Sequence, residues 1–158
     1  MKGLPQKPLF YSSYQVEMEQ LRYTFPKEEK LCGELRIAEL FRQGSAQIAY
    51  PLRACWRLIP LASDSSDASP VFIKVMMSAP KKKLHRANKR NRAKRLMREA
   101  YRLQKHALWQ QVSSMKSENG EAMQMQLAIV WLADEVLPYA KVYERMGRLL
   151  EKIQAQLS

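Results

Sequence analysis

The side chains best placed to do chemistry stand in one run, Lys81 to His106, KKKLHRANKRNRAKRLMREAYRLQKH. It holds twelve Lys or Arg and one acid, Glu99, for a net +11 out of +12 for the whole chain. The remaining residues are almost neutral, 15 basic against 14 acidic. Charge concentrated in this way is an electrostatic footprint for a polyanion. Other chemistries have little to build on. His85 and His106 are the only histidines, and Cys32 and Cys55 are too few and too far apart for a zinc site or a disulfide framework. The carboxylates are scattered, whereas a two-metal nuclease needs a cluster of them. The sequence therefore offers no catalytic residue and no metal ligand.

The elements that must position these cations follow from spacing. From about Arg86 the run turns helical, with Ala93, Leu96, Ala100, Leu103 and Ala107 on one stripe and Met97 beside it. Lys94, Arg98, Arg102 and Lys105 fall opposite, with Arg95 at their margin. No Gly or Pro interrupts the chain between Lys81 and Gln111. Pro80 biases Ala79 toward an extended conformation, which puts Lys81, Lys82 and Lys83 on the connection between a strand and the helix. The free N–H groups of the helix start add to the positive potential there. A solvated basic face, a calmodulin-type target and a membrane-surface helix are the competing readings. Those amphipathic helices carry a broad face of large apolar residues, and this stripe is half alanine. Arginine also suits phosphate, which a planar guanidinium grips at two points.

The run from Lys82 through Arg95, continued by Leu96-Met97-Arg98-Glu99-Ala100-Tyr101-Arg102, resembles the signature of the bacterial ribonuclease P protein component. The family pattern is a Lys-Lys pair, then Ala, then Arg-Asn-Arg three residues on, then Lys-Arg and an Arg-Glu-Ala-aromatic-Arg run. Ala87 and Arg90-Asn91-Arg92 stand at that spacing. Two positions depart from it: His85 stands where many members have Gly, and Asn88 where an apolar residue is usual. The resemblance extends over roughly Arg22 to Leu157, although only the basic helix is specific.

Before the basic run, residues 1–24 read as a flexible N-terminal extension, and 25–158 as one domain. The segment from Met18 resembles the start of family members, so Met18 is an alternative translation start. Lys27 to Gln43 reads as a first helix, with Leu31, Leu35, Ala38 and Phe41 at helical spacing and Gly44 as its stop. Ala46 to Pro60 is strand-rich with a break at Pro51. Leu52, Ala54, Trp56 and Leu58 alternate with Arg53, Cys55, Arg57 and Ile59. Arg53 and Arg57 share a face, either lining a cleft or simply meeting solvent. Residues 62–70 form a polar turn, and Val71 to Met77, nearly continuous in apolar character, reads as a central strand. Beyond the basic helix, Gln111 to Gln124 is a polar connection of low expected order, and Met125 to Ala133 is a fourth strand. A closing helix begins after Pro138, with Val142, Met146, Leu149, Leu150 and Ile153 at core spacing. The longest apolar run is seven residues, far short of a membrane span, and no secretion signal is visible. A soluble, cytoplasmic protein without a membrane partner is expected.

The resemblance implies an α/β (α+β) two-layer sandwich of order α-β-β-β-α-β-α, its four-stranded sheet carrying a left-handed βαβ crossover. General handedness rules would not predict that hand. It further implies an RNA-binding subunit that assists a catalytic RNA in removing the 5′ leader of precursor tRNA. Magnesium then serves the RNA, and no organic cofactor or protein partner is required. On that reading Lys81, Lys82, Lys83, Arg86, Lys89, Arg90, Arg92, Lys94, Arg95 and Arg98 neutralise phosphates of the catalytic RNA. Asn91 either hydrogen-bonds the RNA or fixes the helix start. Phe41 is either a core residue or, with Ile37 and Arg53, part of a cleft for the single-stranded leader. The family places aromatics at both i and i+4 there, so Ile37 leaves one stacking ring absent. The alternatives are a ribosome-associated or general structured-RNA binder, a self-sufficient nuclease, and a DNA-binding module.

Overall fold

The first helix starts later than its apolar spacing predicts, because a glycine interrupts it. In the computed structural model, which describes residues 25–61 and 71–158, Lys27–Glu29 is one 3-10 turn and α1 spans Glu34–Gln43. Between them Gly33 sits at φ +102°, in the left-handed region that glycine adopts without strain. Residues 25–31 therefore form a strap, with that single 3-10 turn within it, rather than the start of α1. The expected N-terminal extension, the Met18 start and the 62–70 turn lie outside the described residues.

The remaining elements are β1 (Ser45–Ala49), β2 (Leu52–Pro60), β3 (Ile73–Ser78), α2 (Ala87–Gln104), α3 (His106–Ser114), β4 (Met123–Trp131) and α4 (Tyr139–Leu157). The sheet order is β1-β2-β4-β3. β4 runs antiparallel to β2 and parallel to β3, so α2 and α3 carry the chain between two parallel neighbours. The expected helix–strand order holds, with α3 as an addition. It is separated from α2 at Lys105, where an unbroken helix was expected. The connection after α3 is also more ordered than its polarity implied. Ser117 Oγ accepts the N–H groups of Asn119 and Glu121, at 3.3 and 3.0 Å, around Gly120.

β3 is an edge strand, not a central one. Its apolar continuity comes from burial on both faces. Ile73 and Val75 enter the main core, and Met76 packs on the opposite side. The strap covers its outer edge, with Leu31 N donating to Val75 O at 2.9 Å.

One sheet face packs on α2, α3 and α4 through Leu52, Ala54, Trp56, Met125, Leu127, Ile129 and Trp131. The five core positions expected in α4 are all buried. In α2 the buried stripe is rotated from the expected one. Ala93, Met97, Ala100 and Tyr101 are inside and Leu96 and Leu103 are half-buried, while Ala107, expected on the same stripe, falls in α3 and is exposed. Tyr101 is drawn in by the strap, its ring 5.8 Å from that of Phe25. Lys105, expected on the solvent side, is wholly buried and bonded to Glu29 at 2.8 and 3.1 Å. Burial raises the Glu29 carboxyl above the usual range, only partly offset by the Lys105 ammonium.

α1 lies on the other face over a smaller cluster of Leu31, Leu40, Cys55 and Ala128. Leu35, expected at a core position, is 85% exposed, and Ala38 is exposed too. Leu40 faces the sheet instead, with Ile37 half-buried beside it. Cys55, expected outside by alternation, is inside because α1 covers it, and burial pushes its thiol up.

Candidate nucleic-acid interface

Strand register sorts the α1 face into rows. Ala46, Cys55, Ala128 and Met76 are neighbours across all four strands, and Cys55, Ala128 and Met76 of this row lie beneath α1. To one side run Arg57, Gln126 and Lys74; to the other run Ile48, Arg53, Val130 and Ser78. α1 is held close over its row. The Cys55 thiol lies 3.3 Å from Leu40 O, and a Cβ on Gly44 would stand 2.5 Å from that same oxygen and 2.8 Å from Cys55 Sγ.

Arg57 closes the first side. Its Nε donates to Gln126 Oε1 at 2.8 Å, and its two terminal nitrogens to Gln43 Oε1 and Glu39 Oε2, both at 3.2 Å. Of the two fates open to it, cleft lining or solvent, it takes neither: it pins α1 to the sheet. Ile37 and Phe41, one turn apart, lie on the flank of α1 away from Glu39 and Gln43. They wall the second side, where the sheet stays open. Ile48 is 52% exposed, Phe41 is 41% exposed, Arg53 is exposed, and Val130 and Ser78 are half-buried. The result is a groove with one aromatic and one aliphatic wall residue, an apolar floor and a single guanidinium. Ile37 and Phe41 thus share the flank of α1 opposite its Arg57 contacts, and Arg53 stands in the open row of the sheet. Ile48, Val130 and Ser78 were not singled out, since only cross-strand register brings them into one row.

The groove's Ser78 end runs directly into the basic turn. Pro80 O accepts the N–H groups of Lys83 and Leu84, both at 3.1 Å, and Leu84 is buried as the anchor. Lys81, Lys82, Lys83, Arg86, Lys89, Asn91, Arg92, Arg95 and Arg98 are exposed, and Lys94 is half-exposed. Lys83 meets Asp134 at 3.8 Å, a pair open enough to water to add little. Arg90 behaves differently. Its guanidinium donates to Leu84 O at 3.0 Å and His85 O at 2.8 Å, closing the chain onto the helix start. Arg86 is the N-cap residue and offers no side-chain cap. The role of fixing the helix start, weighed for Asn91, therefore falls to Arg90, while Asn91 lies inside the first turns of α2 and faces solvent.

Further along α2, Arg95 and Arg98 line a pocket of about 280 Å³ together with Phe25, Lys30, Glu99 and Arg102. Among the described residues no three His, Cys, Asp or Glu side chains gather as metal ligands would. No helix among them is long and apolar enough to cross a membrane. What the surface can do is hold a polyanion along α2 and an unpaired strand in the adjoining groove.

Known proteins resemble this chain in sequence and in fold. Ribonuclease P protein components from two strains of Porphyromonas gingivalis are 43% identical over 82 residues, 52% of this chain and 56% of theirs. That of Chlorobaculum tepidum is 37% identical over 91 residues, 57% of this chain and 56% of its own. The chain thus matches little more than half the length of these curated relatives. The Staphylococcus aureus RNase P protein shares the fold, with a TM-score of 0.54 at 12% identity, covering 80% of this chain and 95% of that one. A family model described as Ribonuclease P matches residues 25–153, which take in the strap, α1, the groove and the basic helix. The chain belongs to the ribonuclease P protein family.

Proposed function

We propose that this protein is the RNA-binding subunit of a ribonuclease P, assisting a catalytic RNA in removing the 5′ leader from precursor tRNA in the cytoplasm. The carrying observation is the continuity of the open row Ile48–Arg53–Val130–Ser78 with the exposed lysine turn and α2. A strand leaving a structured RNA held on the cationic turn and helix can lie directly in the groove. Lys81, Lys82, Lys83, Arg86, Lys89, Arg92, Lys94, Arg95 and Arg98 contact phosphates of the catalytic RNA. Asn91 contacts the same RNA, and Arg90 shapes the turn that presents the lysines. Phe41 stacks on a leader base, Ile37 packs beside it and Arg53 takes a phosphate. Magnesium acts within the RNA, which supplies the hydrolytic chemistry. The protein contributes binding and orientation, so precursor and product differ for it mainly in whether a leader fills the groove.

The test is cleavage of precursor tRNA by the cognate RNA at low magnesium, with and without the protein, alongside Arg92→Ala/Arg95→Ala. That pair is chosen because Arg90 has internal bonds to lose and these two are exposed. Stimulation by the wild type that is lost in the variant is expected. With six to ten phosphates engaged, affinity falls roughly 10³–10⁵-fold between about 50 and 200 mM salt. An active RNA that the protein fails to stimulate would instead indicate a structured-RNA binder without a processing role. Cleavage by the protein alone would overturn the division of labour.

A further inference from the structure

The pocket between the strap and α2 lies outside the groove and beyond the basic turn. Its lining carries four cations, Lys30, Arg95, Arg98 and Arg102, and one carboxylate, Glu99. Glu99 does not neutralise the set evenly. Arg102 Nε donates to Glu99 Oε2 at 3.1 Å and its NH2 reaches Oε1, which holds that carboxyl below the usual glutamate range. Glu99 therefore orients the Arg102 fork, and the pocket keeps an excess of three positive charges. Its apolar wall is the Phe25 ring, backed by Tyr101. At about 280 Å³ it lies near the lower end of ligand pockets, roughly 300 Å³, which fits a single nucleotide unit better than a large ligand.

Position separates this pocket from the groove. Phe25 packs at the main core, whereas Leu31 belongs to the cluster beneath α1, so the strap passes round the outer edge of β3 between the two faces. Lys30, beside that edge, is the one pocket cation that no reading of the basic run includes.

We propose that this pocket extends the RNA-binding surface of α2 onto the strap, seating one nucleotide of the catalytic RNA. Lys30, Arg95 and Arg98 grip its phosphodiester, and Phe25 packs against its sugar or base. Naming the catalytic RNA as the ligand rests on the function proposed above; the phosphodiester chemistry does not. The strap becomes part of the RNA-binding surface, and the footprint turns from the open side of α2 toward the back of β3.

Two measurements on the full chain test this. In the first, binding of the catalytic RNA is titrated against salt for the wild type, Lys30→Ala and Lys116→Ala, the last an exposed lysine beyond α3. One lost phosphate contact lowers the log–log salt slope by about 0.7–0.9 and weakens binding about five- to eightfold near 0.1 M salt. That is the expectation for Lys30→Ala, with Lys116→Ala unchanged. A Lys30→Ala slope equal to wild type, or an equal loss in Lys116→Ala, overturns the site. The second uses Cys32, exposed and two residues from Lys30, while Cys55 is buried with its thiol pushed up. An iron chelate therefore labels Cys32 alone, within about 7 Å of Lys30 along the chain. Hydroxyl-radical cuts clustered in the catalytic RNA support the site; cuts confined to the leader, or none, overturn it. If wild type stimulates cleavage but Lys30→Ala keeps its slope, the pocket falls and the function stands. If wild type binds this RNA with the expected Lys30 dependence yet never stimulates cleavage, the reverse holds.

Discussion

Arg57 decides where the wall of the groove stands, and its replacement should show this in numbers. The bond to Gln126 matters most, because Gln126 is only 3% exposed. Leaving that amide oxygen without its donor costs about 1–3 kcal/mol. The contacts to Gln43 and Glu39 are longer and wetter, with side chains 18% and 48% exposed for the Arg57–Glu39 pair. Each adds about 0.5 kcal/mol or less. Arg57→Met keeps the stem and removes the fork, for a total near 2–3 kcal/mol. This rivals the apolar anchor of α1, since Leu40 alone is fully buried there and such a side chain contributes about 1.5–3 kcal/mol. Amide exchange across Glu34–Gln43 should accelerate about 30- to 150-fold. On the function proposed above, stimulation on long-leader substrates should fall, with affinity for the catalytic RNA unchanged. Arg57→Lys is the discriminating variant, because it keeps the charge and loses the fork. If Arg57→Lys protects α1 as wild type does, α1 is held by Leu40 and Gly44 and the clamp reasoning is wrong.

Three further outcomes follow from the packing. Lys105→Met strands Glu29 in the interior and should cost about 3–5 kcal/mol by urea denaturation, with Glu29→Gln/Lys105→Met recovering most of it; a single-variant loss below about 1 kcal/mol would mean water reaches the pair. The Glu29 carboxyl, raised by burial, should take up its proton at higher pH than an ordinary glutamate side chain, as read by carboxyl carbon shifts. Its folded value lies above its unfolded one, so this group taken alone adds stability as pH falls through that interval, and titration at or below the ordinary glutamate value would contradict the assignment. Gly44→Ala drives a methyl toward Leu40 O, Cys55 Sγ and Trp56 O, at 2.5, 2.8 and 3.0 Å, and should destabilise by about 1–3 kcal/mol, visible as a lower Tm.

What could be read from the sequence were features that repeat locally. The helical run of cations, the α4 stripe from Val142 to Ile153 and the strand order all rest on neighbours within a few residues. The misreadings share a different origin. Lys105 and Glu29 are 76 positions apart, and Arg57 and Gln126 are 69 apart, so nothing local shows that either cation turns inward. β3 looked central because apolar character reports burial of its two faces and not which edges are paired. The groove lay between these cases. Ile37 and Phe41 are visible as an i, i+4 pair, whereas their floor exists only once four strands are in register.

Folding divides the cations into two groups, and the division sets stability against binding. Lys105, Arg57 and Arg90 have internal acceptors, so replacing them costs structure. Arg98 stands for the other group. It is exposed and has Lys94 and Arg102 four residues away and Arg95 three away on the same helix. Like charges at these spacings each oppose the helix by roughly 0.2–0.5 kcal/mol. α2 tolerates them because Ala93, Met97, Ala100 and Tyr101 anchor its other side. Arg98→Ala should therefore make the free protein more stable at low salt, by up to about 1 kcal/mol, while weakening its hold on RNA. Salt near 1 M, with a screening length of about 3 Å, should erase the stability difference. A variant less stable than wild type at low salt would mean that Arg98 holds the fold together, and that its exposure understates what it does within the protein.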